Sequence, residues 1–437
     1  MSQIVIDKLI RASKHGDFAE VKHLVEEQHV DPQCRDSQLR ATPLHFAASN
    51  GHLNIVKYLA EERKCDLACE DKFGGTPLYT AAYGSSLDVV RYLVEEGCSP
   101  LSRNHQGRSP LHIACMSAHQ DSSVVRFLIE DCKVDPLCQD AEGATPLHLA
   151  ARSGSLAVVR YFIEVHQCEV MLKRRGGNTP LHDAASGGKL DVVQYLIGEQ
   201  GCDPTCKGFS DRTPLHFACQ GDALDVIKYL LDDQKVDATC RDENCATPLI
   251  LAAEFGTLSV VKCLVESYQC DVLCKNKHGN TPLHFAAMHG KGDIVRYLTN
   301  ERGCDAMCRG QYDRTALHMT CSNGHLNVAK YLIDVHNVDP SCRDVDNVTP
   351  LHLASYNGHL QIVRLLIEDC LCDPAVKTKV GATPLDAAKT GVAEYLTSIM
   401  NVVSSKCVIR SANTSHLLDS HCKCVWSNYN AVIMHGR

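Results

Sequence analysis

Apolar residues in this chain form two short helical stripes followed by a polar stretch, and the pattern recurs. In "ATPLHFAASNGHLNIVKYLAEE", Thr42 can cap a helix whose first residue, Pro43, lacks an N–H that would have no partner there. The buried side of this helix consists of Leu44, Ala47 and Ala48. Gly51 ends it, and a second helix follows, with apolar residues Leu53, Ile55, Val56 and Leu59 at helical spacing. The polar stretch "CEDKFGG" after it predicts a tight extended finger.

The triplet Thr-Pro-Leu, or a close variant, marks the start of each helix pair. It begins at Thr42, Thr76, Ser109, Thr145, Thr179, Thr213, Thr247, Thr281, Thr315, Thr349 and Thr383. The intervals are 34, 33 and 36 residues and then 34 in every case. Such a period predicts an all-α array that grows by stacking, without a single globular core.

The repeated motif resembles the ankyrin repeat family. The residues that carry the resemblance are "TPLHFAASNGHLNIVKYL" from Thr42, "TPLHLAARSGSLAVVRYF" from Thr145 and "TPLHLASYNGHLQIVRLL" from Thr349. It implies an ankyrin-repeat solenoid of stacked helix-turn-helix units with finger-like β-hairpin loops. Ankyrin repeats usually have 33 residues, whereas 34 is also the tetratricopeptide period. Comparison of "YLVEEGCSP" after Tyr92 with "YLIGEQGCDP" after Tyr195 locates the extra residue at the end of the second helix.

We therefore expect about twelve units, including two caps. The domain boundaries follow from the period: an N-terminal capping repeat at 1–41, ten repeats at 42–382, a shortened C-terminal cap at 383–400 and an irregular tail at 401–437. We expect the tail to be disordered; a short peptide motif and a misread gene end are the alternatives. His421, Cys422 and Cys424 in the tail are a candidate metal cluster.

Composition indicates a folded, soluble protein, with 44% hydrophobic residues, 22% charged residues and a formal net charge of −8. The N-terminus lacks the apolar core of a signal peptide, and no stretch has the roughly 18 apolar residues of a membrane span. We expect a monomer in the cytoplasm or nucleus, where disulfides are rare; the odd count of 25 cysteines agrees with this.

The cysteines fall into columns where the family has small alanines, which predicts packing rather than chemistry. The first column is Cys65, Cys132, Cys168, Cys202, Cys270, Cys304 and Cys372; the second is Cys69, Cys138, Cys206, Cys240, Cys274, Cys308 and Cys342; the third is Cys115, Cys219 and Cys321. The best candidate zinc ligands are two cysteine pairs in adjacent repeats, Cys270 with Cys274 and Cys304 with Cys308. We interpret these four as buried cysteines at positions where the family has alanine.

Other candidate chemistry also belongs to the repeat. The resemblance implies that the histidine of the Thr-Pro-Leu-His motif forms a hydrogen bond between adjacent repeats. Basic residues of the second helices, such as Lys57 and Arg160, precede acidic residues by four positions, so nucleic-acid binding through that face is not expected. No glycine-rich phosphate loop or nucleophile elbow is present, and we predict neither an enzyme nor a cofactor.

Function is therefore expected where the repeats differ. In ankyrin-like arrays the fingers and first helices form a concave face that binds proteins, and these positions vary here. The candidate partner-binding residues are Phe73, Tyr83, His105, Met116, Arg152, Arg175, Phe209, Glu254, His278, Met288, Tyr312 and Tyr356. The sequence predicts a non-catalytic scaffold or adaptor for protein partners. The alternative is a regulatory fragment of a larger signalling, channel or enzyme protein.

Overall fold

A computed structural model describes residues 3–117 and 122–411, with side chains up to Asn401. The chain divides into two compact bodies, Met1–Val236 and Asp237–Arg437. Eleven helix pairs make up most of the described residues, and we name each repeat by the residue that starts its triplet. None of residues 3–117 and 122–411 forms a β-strand. The fold is thus an all-helical array of repeated helix pairs, as the sequence predicts.

Nine of the eleven first helices begin at the triplet proline. They run Gln3–His15, Pro43–Ser49, Pro77–Tyr83, Pro110–Met116, Pro146–Ser153, Pro180–Ser186, Pro214–Gln220, Pro248–Glu254, Pro282–Met288, Ala316–Asn323 and Pro350–Asn357. In the Thr145 repeat the threonine side chain and the His148 ring together cap the helix N-terminus, and Pro146 occupies the first position. Gly154, in the left-handed conformation with φ of 87°, ends this helix. The caps therefore fix where each short helix begins and ends.

The second helices begin as α-helix. They run Phe18–Lys22, Leu53–Lys57, Leu87–Glu95, Ser123–Arg126, Leu156–Arg160, Leu190–Gln194, Leu224–Lys228, Leu258–Lys262, Gly292–Arg296, Leu326–Asp334 and Leu360–Arg364. Most then widen into one π-helical turn. These turns are His23–Glu27, Tyr58–Glu62, Phe127–Asp131, Tyr161–Val165, Tyr195–Glu199, Tyr229–Asp233, Cys263–Ser267, Tyr297–Glu301 and Leu365–Asp369.

The π turn is the structural form of the extra residue. In the 34-residue Thr42 repeat, the Arg63 N–H donates to the Tyr58 carbonyl, five residues back, at 3.1 Å. In the 33-residue Thr76 repeat, the Glu96 N–H donates to Tyr92, four residues back, at 2.9 Å, and the helix stays α throughout. The extra residue of the 34-residue repeat is therefore accommodated by one wider helical turn, and the finger that follows begins at the equivalent position. The Thr315 repeat is an exception, because its second helix, Leu326–Asp334, is α and the extra residue lies in the following turn.

The second helices of adjacent repeats are joined by an aromatic clamp. The Arg160 guanidinium lies 4.2 Å from the centre of the Tyr195 ring in the next repeat. The Tyr195 hydroxyl donates to Glu164, four residues after Arg160, at 3.1 Å. Arg126, Glu130 and Tyr161 repeat the arrangement at 4.3 and 2.7 Å. The basic and acidic residues that the sequence pairs along one helix therefore also bracket the tyrosine of the following repeat.

The C-terminal cap differs from the other repeats. Residues 384–387 form turns in place of a first helix, and a helix then runs Thr390–Ser411, past the boundary at 400 that the sequence predicts for the cap. Leu396 on this helix is fully buried. The candidate metal cluster at His421, Cys422 and Cys424 lies outside the described residues, as does the rest of the tail from 412 onward.

Candidate partner-binding surface

In most repeats a motif histidine holds the first helix against the next finger. The His45 Nδ1 atom faces the Thr42 N–H at 3.2 Å, and its Nε2 faces the Gly75 carbonyl of the next finger at 3.1 Å. A carbonyl only accepts, so Nε2 carries the proton and Nδ1 accepts from the backbone. His112, His148 and His352 make the same two contacts. The histidine bond between repeats that the resemblance implied is confirmed.

Burial keeps these histidines neutral. Desolvation lowers the pKa of His112, His182 and His318 to about 4, although hydrogen bonds to backbone carbonyls partly oppose it. The same cause lowers the pKa of His45 and His148. Both ring nitrogens are engaged and the ring is uncharged at neutral pH, so the motif histidine is a structural connector.

Hydrogen bonds hold the fingers together although none of the described ones contains a strand. Asp71 begins one finger, and its carboxylate accepts from the Phe73 and Gly75 N–H groups at 2.8 Å each. The Lys72 N–H donates to the Leu39 carbonyl of the preceding finger at 2.7 Å. Equivalent bonds join successive fingers within each body, including His105 to Phe73, Ala141 to Gln106, Arg175 to Glu142, Lys277 to Asn244 and Val345 to Tyr312. This ladder fixes the backbone beneath each tip side chain.

Arginines fasten some of the fingers together. The Arg241 Nη1 atom donates to the Cys245 carbonyl of its own finger and to Lys275 of the next, both at 3.0 Å. Arg35, Arg103 and Arg309 make the same double contact. Some of the finger arginines therefore hold neighbouring fingers together through hydrogen bonds to backbone carbonyls.

Two fingers have a different tip, which the sequence reading missed. At Phe209–Asp211 and Gln311–Asp313 the chain forms a short 3-10 turn containing left-handed residues, Ser210 with φ of 54° and Tyr312 with φ of 58°. The Asn178 side chain of the preceding repeat accepts from the Phe209 N–H at 2.7 Å, and Asn280 accepts from Gln311 at 2.8 Å. These tips present an aromatic side chain, Phe209 or Tyr312, on a fixed backbone.

A Cβ at the residue before each tip would collide with that asparagine. On Gly208 it would lie 2.4 Å from the Asn178 Oδ1 atom, and on Gly310 it would lie 2.2 Å from the Asn280 Oδ1 atom. Two residues in the sequence indicate this type of tip: an asparagine directly before the triplet threonine and a glycine near the start of the next finger.

We call the exposed side chains of the fingers and first helices the finger surface. Its predicted residues Phe73, Tyr83, Phe209, Tyr312 and Tyr356 are 53–63% exposed. Four more of the predicted residues are exposed, namely His105, Arg152, Arg175 and His278. Met116, Glu254 and Met288 are instead half-buried.

Neighbouring side chains cover part of two half-buried residues. The Met116 sulfur lies 3.7 Å from an Arg108 nitrogen, and Glu254 lies 3.5 Å from His289. Phe255, 41% exposed beside the His289 ring, was not predicted.

The cysteines are packed thiols. All 22 cysteines whose side chains the structure describes are free. Burial raises the pKa of Cys202, Cys206, Cys270 and Cys304 to about 11, so the reactive thiolate is scarce at neutral pH. Within residues 3–117 and 122–411, no three His, Cys, Asp or Glu side chains are grouped closely enough to hold a metal ion.

One cysteine assignment is wrong. The Val134 N–H donates to Leu128, which is the bond that Cys202 makes to Leu196, so Val134 occupies the first column and Cys132 precedes it.

Finger ladders, histidine connectors and aromatic clamps all join one repeat to the next, which defines a tandem helix-pair repeat protein stabilised by nearest-neighbour contacts. A family model for ankyrin repeats in three copies matches residues 9–104, 63–137, 111–208, 169–242, 215–309 and 302–378. The chain belongs to the ankyrin repeat family. Proteins of this family are typically non-catalytic, and their repeats are in general protein-interaction modules.

Curated relatives match short segments. The chain is 40% identical over 68 residues, 16% of its length, to 26S proteasome non-ATPase regulatory subunit 10 of Dictyostelium discoideum. It is 36% identical over 58 residues, 13% of its length, to ankyrin repeat domain-containing protein 7 of Homo sapiens. It is 43% identical over 54 residues, 12% of its length, to alpha-latrocrustotoxin-Lt1a of Latrodectus tredecimguttatus. The matches span 29%, 22% and 4% of those proteins.

In the described part of the chain, none of the helices has the length and apolar character that a membrane span needs.

Proposed function

We propose that this chain is a non-catalytic scaffold or adaptor that binds partner proteins on the finger surface. The observation that carries the proposal is the contrast between exposed side chains and a fixed backbone. Phe73, Phe209 and Tyr312 are more than half exposed, yet the backbone beneath each is tied to a neighbouring finger. Rigid aromatic side chains lose little conformational entropy on binding and commonly anchor interfaces.

The proposal includes a cytoplasmic location and a monomeric chain. The described cysteines are free thiols, and the cytosol maintains that form. Light scattering on the purified chain would measure its mass; a dimer mass at low micromolar concentration would contradict this part of the proposal.

Site-specific cross-linking tests the surface. A photoreactive phenylalanine analogue replaces Phe209 or Tyr312 in the full chain, and in control variants it replaces Val165 or Val335. The controls are 60% and 54% exposed, close to the 55% and 57% of the two aromatics, and lie near the ends of second helices. We expect partner adducts from the finger positions and none from the controls. Equal cross-linking from all four positions would contradict the proposal.

Affinity gives a second measurement. Phe209→Ala should change the free energy of unfolding by less than about 0.5 kcal/mol, because the side chain is exposed. At a true anchor position it should weaken partner binding by about 1 kcal/mol or more.

A further inference from the structure

Three repeats of the first body separate their charges between two sides. In the Thr145, Thr179 and Thr213 repeats, the fingers and first helices carry six Lys or Arg residues against four carboxylates, counted over residues 139–153, 173–186 and 207–220. The second helices and the turns beside them carry nine carboxylates against four Lys or Arg residues, counted over 155–169, 187–203 and 221–236. The finger side of these repeats is therefore positive in a chain whose formal net charge is −8.

Three of the four carboxylates on the finger side are already paired at short range. The Asp183 side chain is 6% exposed and receives two bonds from Arg174, at 3.1 and 3.3 Å. Asp140 is 1% exposed and pairs with Arg108 at 3.1 Å, while Asp211 pairs with Lys207 at 2.9 Å. The fourth, Glu142, is 71% exposed and lies 3.5 Å from Arg174.

Two exposed cations of the Thr179 finger, Lys173 and Arg175, have no carboxylate of the described residues within ion-pair distance. Lys173 donates to the Lys207 carbonyl at 3.3 Å, and the Arg175 guanidinium makes no hydrogen bond to the described part of the chain. Arg152 is 58% exposed and lies 4.0 Å from Asp183, which Arg174 already neutralises. We call these three incompletely neutralised side chains, which lie on the helix Pro146–Ser153 and on the next finger, the basic patch.

An aromatic side chain borders this patch. Phe209 is 55% exposed, and its N–H is bound by Asn178 of the Thr179 repeat. Its ring lies over Gly176, where an added Cβ would come within 3.1 Å of the Phe209 Cδ2 atom. Gly176 follows Arg175 in sequence, so the Phe209 ring lies over the backbone of the finger that carries the unpaired guanidinium.

We propose that the patch of Arg152, Lys173, Arg175 and Phe209 binds an acidic segment of a partner protein that also carries an apolar side chain. The inference rests on the proposed function and specifies the partner's chemistry. Partner carboxylates pair with the two arginines and the lysine, and the arginine fork suits them because it can donate two parallel bonds. The apolar side chain packs on the Phe209 ring.

The charges favour a peptide over a nucleic acid. A duplex presents one negative charge for roughly every 1.7 Å of its axis and needs a continuous run of cations. Here the unpaired cations are few, Glu142 is exposed beside them, and nine carboxylates lie on the other side of the same repeats. A few discrete carboxylates match this pattern better than a phosphate backbone.

The test measures binding of a labelled peptide of alternating glutamate and leucine to the full chain by fluorescence anisotropy. A peptide of alternating glutamine and leucine and a single-stranded oligouridine of equal length are the comparison probes. The site variant is Arg152→Gln with Arg175→Gln. In this variant Asp183 still pairs with Arg174, so no buried carboxylate loses its partner. The control variant, Lys228→Gln with Lys235→Gln, removes the same charge from the second-helix side. Thermal unfolding checks that both variants fold like the wild type.

We expect the glutamate peptide to bind and the glutamine peptide to bind at least about tenfold more weakly. The site variant should bind the glutamate peptide at least about fivefold more weakly than the wild type, and the control variant should bind it as the wild type does. Phe209→Ala should weaken binding without changing its salt dependence. An equal loss in the site and control variants, or tighter binding of oligouridine, would overturn the inference. A protein partner that requires Tyr312 but tolerates the site variant would overturn the inference and leave the proposed function standing.

Discussion

At the scale of single residues, one backbone position recurs in a conformation that most side chains avoid. The residue before the first cysteine column is left-handed in every repeat, whatever its side chain. The φ values are 54° at His29, 53° at Lys64, 58° at Lys133, 52° at Gln167, 54° at Lys235, 52° at Gln269, 50° at Asn337 and 59° at Leu371. Glycine occupies the position at Gly97, Gly201 and Gly303. For an ordinary residue this conformation costs roughly 1–2 kcal/mol. The chain therefore stores local strain at each non-glycine position.

Replacement of Gln269 by glycine should relieve that strain. Gln269 is exposed and its φ is 52°. We expect Gln269→Gly to raise the free energy of unfolding by about 0.5–1 kcal/mol, the relief being partly offset by the greater entropy of glycine in the unfolded chain. Chemical denaturation followed by circular dichroism measures it. The matched control is Lys330→Gly, an exposed helical site in the same body, which should lose about 1 kcal/mol. Equal losses in both variants would refute the strain argument.

Single residues also show what the sequence could predict. The threonine cap, the proline at the first helical position and the histidine connector follow from the motif because their partners lie within the repeat or one repeat away at a fixed offset. The hydrogen bond that the Phe209 N–H donates to the Asn178 side chain could not be predicted in the same way. It couples two repeats through an asparagine that precedes the triplet threonine in two repeats, at Asn178 and Asn280. Its signal appears when "GGNTPLH" and "KGFSDRT" are compared with "HGNTPLH" and "RGQYDRT". Exposure of the candidate tips was predicted well, but contacts that half-bury Met116 and Glu254 needed the structure.

At the scale of the element, the second helix absorbs the difference between 33 and 34 residues. The sequence located the inserted residue but not its conformation, because apolar spacing does not distinguish a π turn from an extra loop residue. Packing decides: the tyrosine clamp fixes the middle of the helix, and the Cys202 N–H must still reach the Leu196 carbonyl at 2.9 Å. A single wide turn satisfies both. Isolated π turns often mark functional sites, but here their repetition indicates a structural origin.

Deletion of Gln200 should convert the Thr179 repeat into a 33-residue repeat. The result, "YLIGEGCDP", matches "YLVEEGCSP" of the Thr76 repeat, whose second helix is α to its end. We expect the variant to fold, with a loss of no more than about 1 kcal/mol, the scale of one hydrogen bond. Deletion of Ala185, fully buried in the first helix, would rotate the following residues out of register and should abolish the folding of its repeat. Hydrogen exchange across residues 180–206 compares the two. Equal loss of protection would show that the π turn is required.

At the scale of the whole molecule, repetition multiplies small effects. The motif histidine recurs in most repeats and is always buried. Burial lowers its pKa at His45, His112, His148, His182, His284, His318 and His352. A lowered folded-state pKa means that the unfolded chain binds more protons than the folded chain at mildly acidic pH. Each histidine therefore contributes stability that is fully present above its unfolded pKa of 6.5 and is lost as pH falls toward its folded pKa, about 4 for His112, His182 and His318.

The chain should consequently be destabilised between pH 6.5 and 5, before most carboxylates titrate. The upper limit is about 1.4 kcal/mol per histidine for each pH unit below 6.5. Urea unfolding at a series of pH values measures the slope for the full chain. The variant His318→Tyr tests whether a buried histidine causes this slope. It removes the titrating imidazole and introduces tyrosine, the residue that occupies the same motif position at Tyr79. We expect this variant to be less stable than the wild type at pH 7, because the bond to the Val348 carbonyl is lost, and the difference should shrink as pH falls. Stability that stays constant from pH 7 to 5, or a difference that grows on acidification, would show that the buried histidines do not control the acid sensitivity of the chain.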